Sequence, residues 1–306
     1  MIRNFIFILI IGGFTSCSQK AYLFTSFHEP ADAGLRMLYS YDGYHWKDLD
    51  TVLIHPEVGN QKVMRDPSMV QGPDGVFRLV WTSSWRGDKG FGYASSKDLI
   101  HWSKEQFIPV MNDEPTTINV WAPELFYDDE SEDYIIVWAS CIPGRFERGQ
   151  EEDSNNHRLY ATTTKEFTSF TNPKLFLDPG FSVIDATIVK RTKDNYVLVL
   201  KDNTRLQRDI KVAFGNSSVG PWKNVSAPFT AEFTEGPSVV KVKDHWLIYY
   251  DAYRKKFYGA SSTKDFIHFT DLTNEVSVPE GHKHGTIVTV SKAFVKHLVK
   301  AIHQKA

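Results

Sequence analysis

Cysteine is nearly absent from this chain. Its 306 residues include only two, Cys17 and Cys141, so no disulfide framework can stand in for a core. An excess of charge of one sign is missing too. The 35 basic and 37 acidic residues leave a net charge of -2, which gives no electrostatic footprint for nucleic acid and sets that partner aside. The apolar run from Phe5 to Phe14 is too short to span a bilayer comfortably. Low-complexity linkers are lacking, so a single domain is expected although the length alone would allow two.

The chain does have material for a well-packed core, with 42% hydrophobic and 14% aromatic residues. Its first residues read differently. Arg3 gives a positive start, the apolar run follows, and small residues lead to Phe14-Thr15-Ser16-Cys17. Residues 1–17 therefore read as a secretion signal outside the fold. Cys17 makes it look like a bacterial lipoprotein signal, in which the cysteine becomes the lipidated first residue; an ordinary signal peptide that happens to contain Cys17 is the other reading. The expectation is an exported, lipid-anchored protein of the periplasm or outer membrane of a bacterium. It touches the membrane only through Cys17 and acts as a monomer.

The rest of the chain repeats. Met64-Arg65-Asp66-Pro67-Ser68 puts a carboxylate and a proline just before an apolar strand. Similar junctions recur at Trp121-Ala122-Pro123-Glu124, Ile184-Asp185-Ala186-Thr187, Glu235-Gly236-Pro237-Ser238 and His284-Gly285-Thr286-Ile287. A second repeat runs out of phase with the first. It consists of turns that end on an aromatic anchor, at Trp46, Trp102, Phe170, Trp222 and Phe269. A period of roughly 40–50 residues is the mark of a propeller, and five repeats of four strands stack radially into five blades. The fold class is therefore all-β, a five-bladed β-propeller spanning 22–292.

The first blade is one strand short. Tyr22–Phe27, Leu35–Tyr41 and an outer strand near Leu49–Ile54 supply three strands. Thr286–Val290 is expected to fill the inner place beside Leu35–Tyr41, closing the ring through the two chain ends. Residues 293–306 read as a short, weakly helical tail. A polar insertion, Pro143 to His157, reads as a surface loop.

The first strand of each blade lines the central channel of a propeller, so Asp66, Glu124, Asp185, Glu235 and His284 are expected to converge on one mouth. Packed carboxyls push each other's pKa values apart and supply an acid and a base, the pair that glycoside hydrolysis uses. Turn-capping carboxylates are the plainer reading of any one junction. Trp121, Trp85 and Trp138 are candidates to stack on a sugar face; Trp121 sits two residues before a junction proline, and packing between blades is the plainer reading of Trp85 and Trp138. Arg65, Glu124 and Arg145 are candidates to bind the sugar, although Arg145 lies in the insertion and could equally be solvated.

The order Asp-Pro, Trp-Ala-Pro-acid, Ile-Asp, Glu-Gly-Pro and His-Gly over five blades resembles glycoside hydrolase family 43. The resemblance covers nearly all of the chain after residue 17. It implies Asp66 as general base, Glu235 as general acid and Asp185 as the residue that orients that acid and tunes its pKa. It implies for His284 a place near the channel centre, beside a structural calcium or a water, with no cofactor required. Glu124 stands where relatives often carry aspartate, and Asp185-Ala186 where Asp-Pro is common. The resemblance further implies inverting hydrolysis of an oligo- or polysaccharide, such as plant side chains. Exo release of α-L-arabinofuranose leads, and β-D-xylosides, xylan and galactan are alternatives. The rival from another class is a non-catalytic carbohydrate-binding lipoprotein on the same propeller.

Overall fold

Each recurring junction opens the inner strand of a blade, and the aromatic-anchored turns sit between outer strands. The structure, a computed structural model, describes residues 19–304; residues 1–17, expected to be a secretion signal, and Cys17 with them lie outside the described residues. The closing blade holds β1 (Lys20–Ser26), β2 (Arg36–Ser40) and β3 (Lys47–Asp48). The next blade holds β4 (Arg65–Gln71), β5 (Phe77–Thr82), β6 (Gly90–Ser96) and β7 (Gln106–Pro109). It is followed by β8 (Trp121–Asp128), β9 (Asp133–Cys141), β10 (His157–Thr164) and β11 (Lys174–Leu177). A blade of β12 (Val183–Thr192), β13 (Asn195–Asp202) and β14 (Asp209–Gly215) comes next. The last has β15 (Glu235–Val242), β16 (His245–Ala252), β17 (Phe257–Thr263) and β18 (Thr270–Asp271). β19 (Ile287–Ser291) then returns to the first blade and α1 (Lys292–His303) follows it. The result is a five-bladed propeller of antiparallel sheets.

Three expectations are corrected. β19 pairs with β1, from Lys20↔Ser291 to Phe24↔Ile287, and not with the Leu35–Tyr41 strand, which lies one place further out. The outer strand of that blade is Lys47–Asp48 rather than Leu49–Ile54. The blade begun by β12 has three strands. Its outer edge is covered by an irregular segment in which Phe214 and Lys223 exchange backbone hydrogen bonds and Phe229 N donates to Ile210 O. Pro221 and Pro228 in that segment cannot donate to a ladder, which accounts for the missing strand. The segment expected to be a weakly helical tail forms α1, whose Val295 and Leu298 are buried in the core between the closing blade and the next.

Three of the repeated turns share one hydrogen-bond scheme. In Asp42–His45 the aspartate Oδ1 accepts from the backbone N–H of Tyr44 (2.8 Å) and His45 (2.9 Å), and Oδ2 meets His45 Nδ1 at 2.8 Å. Asp98 with His101 and Asp265 with His268 repeat it. The local carboxylate satisfies amides that no strand partner reaches, which is why the motif is legible in sequence.

Hydroxyls stitch one inner strand to the next. Thr187 Oγ1 donates to Pro237 O at 2.7 Å, Ser238 Oγ to Gly285 O at 2.7 Å, and Leu125 N donates to Ser68 Oγ at 3.0 Å. The four inner strands that open on a junction acid also share a bulge. Their pairing registers shift between Arg65 and Ser68, Trp121 and Glu124, Ile184 and Thr187, and Glu235 and Ser238. The second residue of each bulge is left-handed: Asp66 (φ 49), Ala122 (φ 45), Asp185 (φ 49) and Gly236 (φ 60). Aspartate tolerates that region better than most residues.

Candidate active site

The shared bulge sorts the junction residues by depth. Arg65, Trp121 and Glu235 occupy its first position, at the channel mouth. Asp66 and Asp185 occupy the second. Glu124 aligns with Ser68, Thr187 and Ser238, two residues further into the channel. The five ionisable groups are therefore brought together, but on different levels.

Asp66 is fixed from two sides. Thr82 Oγ1 donates to its Oδ2 at 3.0 Å and is itself held by Ala122 N at 2.8 Å. His284 Nδ1 lies 3.3 Å from Oδ1. Burial alone would push the Asp66 carboxyl up, but the hydrogen bond and charge of His284, with Arg65 and Thr82, hold it below its usual range. Asp66 is thus an ionised carboxylate, as a base must be. Asp185 goes the other way: burial pushes it up and the charges of Glu235 and Asp66 add to this, against His284 and Lys201. Its Oδ2 accepts from Gly236 N at 3.1 Å, which ties it to the backbone next to Glu235.

Glu235 is the most open of the three, with a side chain 32% exposed. Its Oε2 accepts from Lys201 Nζ at 2.8 Å, and Oε1 has no hydrogen-bond partner among the described residues. Lys201 is itself buried, and the charges of Glu235 and Asp185 outweigh burial and raise its pKa. Sequence reading missed Lys201. Its signal was a cation ending the apolar run Val197-Leu198-Val199-Leu200 of β13, a placement that calls for a buried partner. Asp251, paired in register with Glu235 and bound by Lys283 Nζ at 2.9 Å, was missed as well.

Glu124 is not at the mouth. It is buried in the channel, with Oε2 2.9 Å from Thr286 Oγ1, and burial pushes it up to about 7 despite the hydroxyls and His284 beside it. That depth removes it from the substrate-binding set. Trp138 leaves it too: the indole is fully buried and packs against Phe91 between blades. Arg145 is paired with Glu114 at 2.6 Å.

The remaining candidates form one platform. Trp85 is 47% exposed. Its ring lies 4.4 Å from the Arg65 guanidinium and 4.8 Å from Trp121. Trp121 Nε1 donates to Trp85 O at 2.8 Å, and its ring also stacks on His157 at 4.8 Å. His157 is buried and held at about 4, chiefly by burial, so a neutral ring backs the stack. Arg65 is clamped by both oxygens of Glu29 at 2.8 Å. The two indoles and the Arg65 guanidinium thus make one continuous, partly exposed face.

His284 itself is a cation. Burial would lower it, but Asp185, Asp66 and Glu124 push it up to about 9. Its Nδ1 faces Asp66 Oδ1 at 3.3 Å. Because the folded pKa lies above the unfolded one, the charge stabilises fully below about pH 6.5 and the contribution is lost as pH rises through about 9, at most about 3 kcal/mol. The stability gap between wild type and His284→Gln, measured by thermal unfolding, is expected to be widest near pH 6 and to narrow by about pH 9.5. A gap independent of pH contradicts a charged His284.

Residues 18–295 match a family model, related to glycoside hydrolase family 43, that is described as a probable glycosyl hydrolase domain. An α-L-arabinofuranosidase of Bifidobacterium longum subsp. longum is 27% identical over 125 residues, which is 38% of this chain but 12% of that protein. The match thus spans about an eighth of the curated relative. Among solved structures, a thermostable family-43 glycoside hydrolase superposes with a TM-score of 0.56 at 15% identity, covering 72% of this chain and 78% of its own. An α-L-arabinofuranosidase from Lactobacillus brevis superposes with a TM-score of 0.51 at 17% identity, covering 68% and 72%. At such identities these two likenesses speak for the fold alone.

Proposed function

The chain belongs to the family-43-related probable glycosyl hydrolases, and from that premise we propose that it is an inverting glycoside hydrolase with Asp66 as base and Glu235 as acid. The observation that carries this reading is the pair of bulged strands β4 and β15. Each carries a junction acid in its bulge, Asp66 or Glu235, and the charges of both act on Asp185, which supports reading them as one acid–base pair. Asp66 takes a proton from a water. Glu235 gives one to the leaving oxygen, and Asp185, bonded beside it at Gly236, orients it.

The substrate we propose is an α-L-arabinofuranoside on plant polysaccharide side chains, cleaved from its end. The chain is exported through residues 1–17 and held by lipid at Cys17. A screen of aryl α-L-arabinofuranoside, β-D-xyloside and β-D-galactoside, alongside arabinan, xylan and galactan, tests this. Arabinose release is expected, with the opposite anomer seen first by proton NMR. Release of xylose or galactose alone moves the substrate within the family. A retained anomer overturns the mechanism, and oligosaccharide binding without any release overturns the enzyme and leaves a binding protein.

A further inference from the structure

We propose that His28, Asp48 and His282 form a binding site for a divalent first-row metal ion, zinc in the first instance, separate from the acid pair. The three come from distant parts of the chain: His28 follows β1, Asp48 ends β3 and His282 precedes β19. Their ligand atoms all lie within 4.8 Å of one another. Asp48 Oδ2 and His282 Nε2 are 3.0 Å apart, and the two imidazoles meet at 4.4 Å between centroids and 75° between planes.

Each residue is held as a ligand would be. Ser26 Oγ lies 2.6 Å from His282 Nδ1, so it can accept that N–H while Nε2 turns to an ion. Asp50 N donates to Asp48 Oδ1 at 2.9 Å and leaves Oδ2 toward the histidines. Such outer partners orient ligands in most histidine metal sites. His28 is the telling member. Its Nε2 is buried and has no hydrogen-bond partner among the described residues, an arrangement that a merely structural histidine avoids. Beside it Gly281 leaves room, since even an added Cβ there would stop 3.5 Å from His28 Nε2. No other hydrogen bond ties the His28 ring among the described residues, so a small rotation brings it to bonding distance.

Two imidazoles and one carboxylate select zinc or a neighbouring transition ion over calcium or magnesium, which prefer all-oxygen sets, and a fourth position is left for water. Arg36 stands close enough to act on His28 and Asp48 and is a counterweight to a cation. Bound there, the ion ties the segment after β1 to the segment that leads into β19. It therefore staples the two chain ends where the ring closes.

The test uses the full chain, stripped with a chelator, desalted and titrated with zinc chloride in a calorimeter. One zinc per chain is expected, saturating at roughly micromolar metal or below, with a rise in melting temperature as zinc is added. His28→Ala removes no hydrogen bond, so its metal-free form is expected to melt within about 2 °C of wild type. Zinc binding by His28→Ala and by Asp48→Asn is expected to weaken by about tenfold or more. Wild-type zinc affinity in either variant, or no saturable one-to-one phase in the wild type, overturns the proposal.

Discussion

Asp66→Asn is expected to lose about 10²–10⁴-fold in turnover on every substrate, because each one needs its water activated. Glu235→Gln is expected to lose as much on natural linkages but far less on aryl glycosides, whose leaving groups are acidic enough to depart with little protonation. The contrast between the two variants, rather than either loss alone, assigns the roles. The structure makes both substitutions readable. In Asp66→Asn the amide oxygen can still accept from Thr82 Oγ1, which donates at 3.0 Å in the wild type. In Glu235→Gln the amide oxygen can still accept from Lys201 Nζ, which donates at 2.8 Å. Steady-state kinetics on a polysaccharide and on an aryl glycoside would check this. Near-full activity in both variants, or equal losses for Glu235→Gln on the two substrates, would falsify the assignment.

Deleting residues 284–306 is expected to cost most of the fold. The deletion removes β19, whose five register pairs with β1 close the ring. It also removes α1, whose Val295 and Leu298 are buried against the β1–β4 core and whose Phe294 packs on Phe77. Two apolar faces and one unpaired edge would meet water, the condition under which sheets aggregate. The truncated chain is expected to be insoluble or to melt more than about 10 °C lower, since losing even one or two buried apolar side chains costs about 2–5 kcal/mol each. Scanning calorimetry or circular dichroism would settle it, and a deletion that melts like the full chain would refute closure through the shared blade. Val295→Ala, which leaves β19 in place, is expected to lower the melting point by a smaller step.

Much of the architecture could be read directly from residues. The alternation of apolar and polar positions, the junction at the start of each inner strand and the Asp-x-x-His turns are local signals, satisfied within a few residues of themselves. Asp42 bonds its own Tyr44 and His45 amides whatever the rest of the chain does, so five anchored turns in order announce five blades. Ring closure also followed, because a blade short of a strand at one end and a spare strand at the other have only one way to bury their faces.

The depth of each site residue was not legible, for a definite reason. A bulge with its second residue at positive φ uses up one position of the alternation, so counting along β8 cannot tell that Glu124 lies two steps deeper than the bulge's left-handed residue. Lys201 became a site residue only when β13 was laid against β15, because a cation ending an apolar run calls for a buried partner but does not name one 34 positions away. Trp138 could be read from sequence as a sugar platform or as packing between blades, and only the neighbouring blade, with Phe91 against the indole, decided for packing. The sequence by itself determined the repeat, the turns and the residue types at the strand starts, since these depend on local backbone preference and hydrophobic period. The tertiary structure alone decided which strand β19 joins, which carboxyls share a level, and that His28, Asp48 and His282 meet. Those depend on how separate blades pack, and packing is a property of the closed ring.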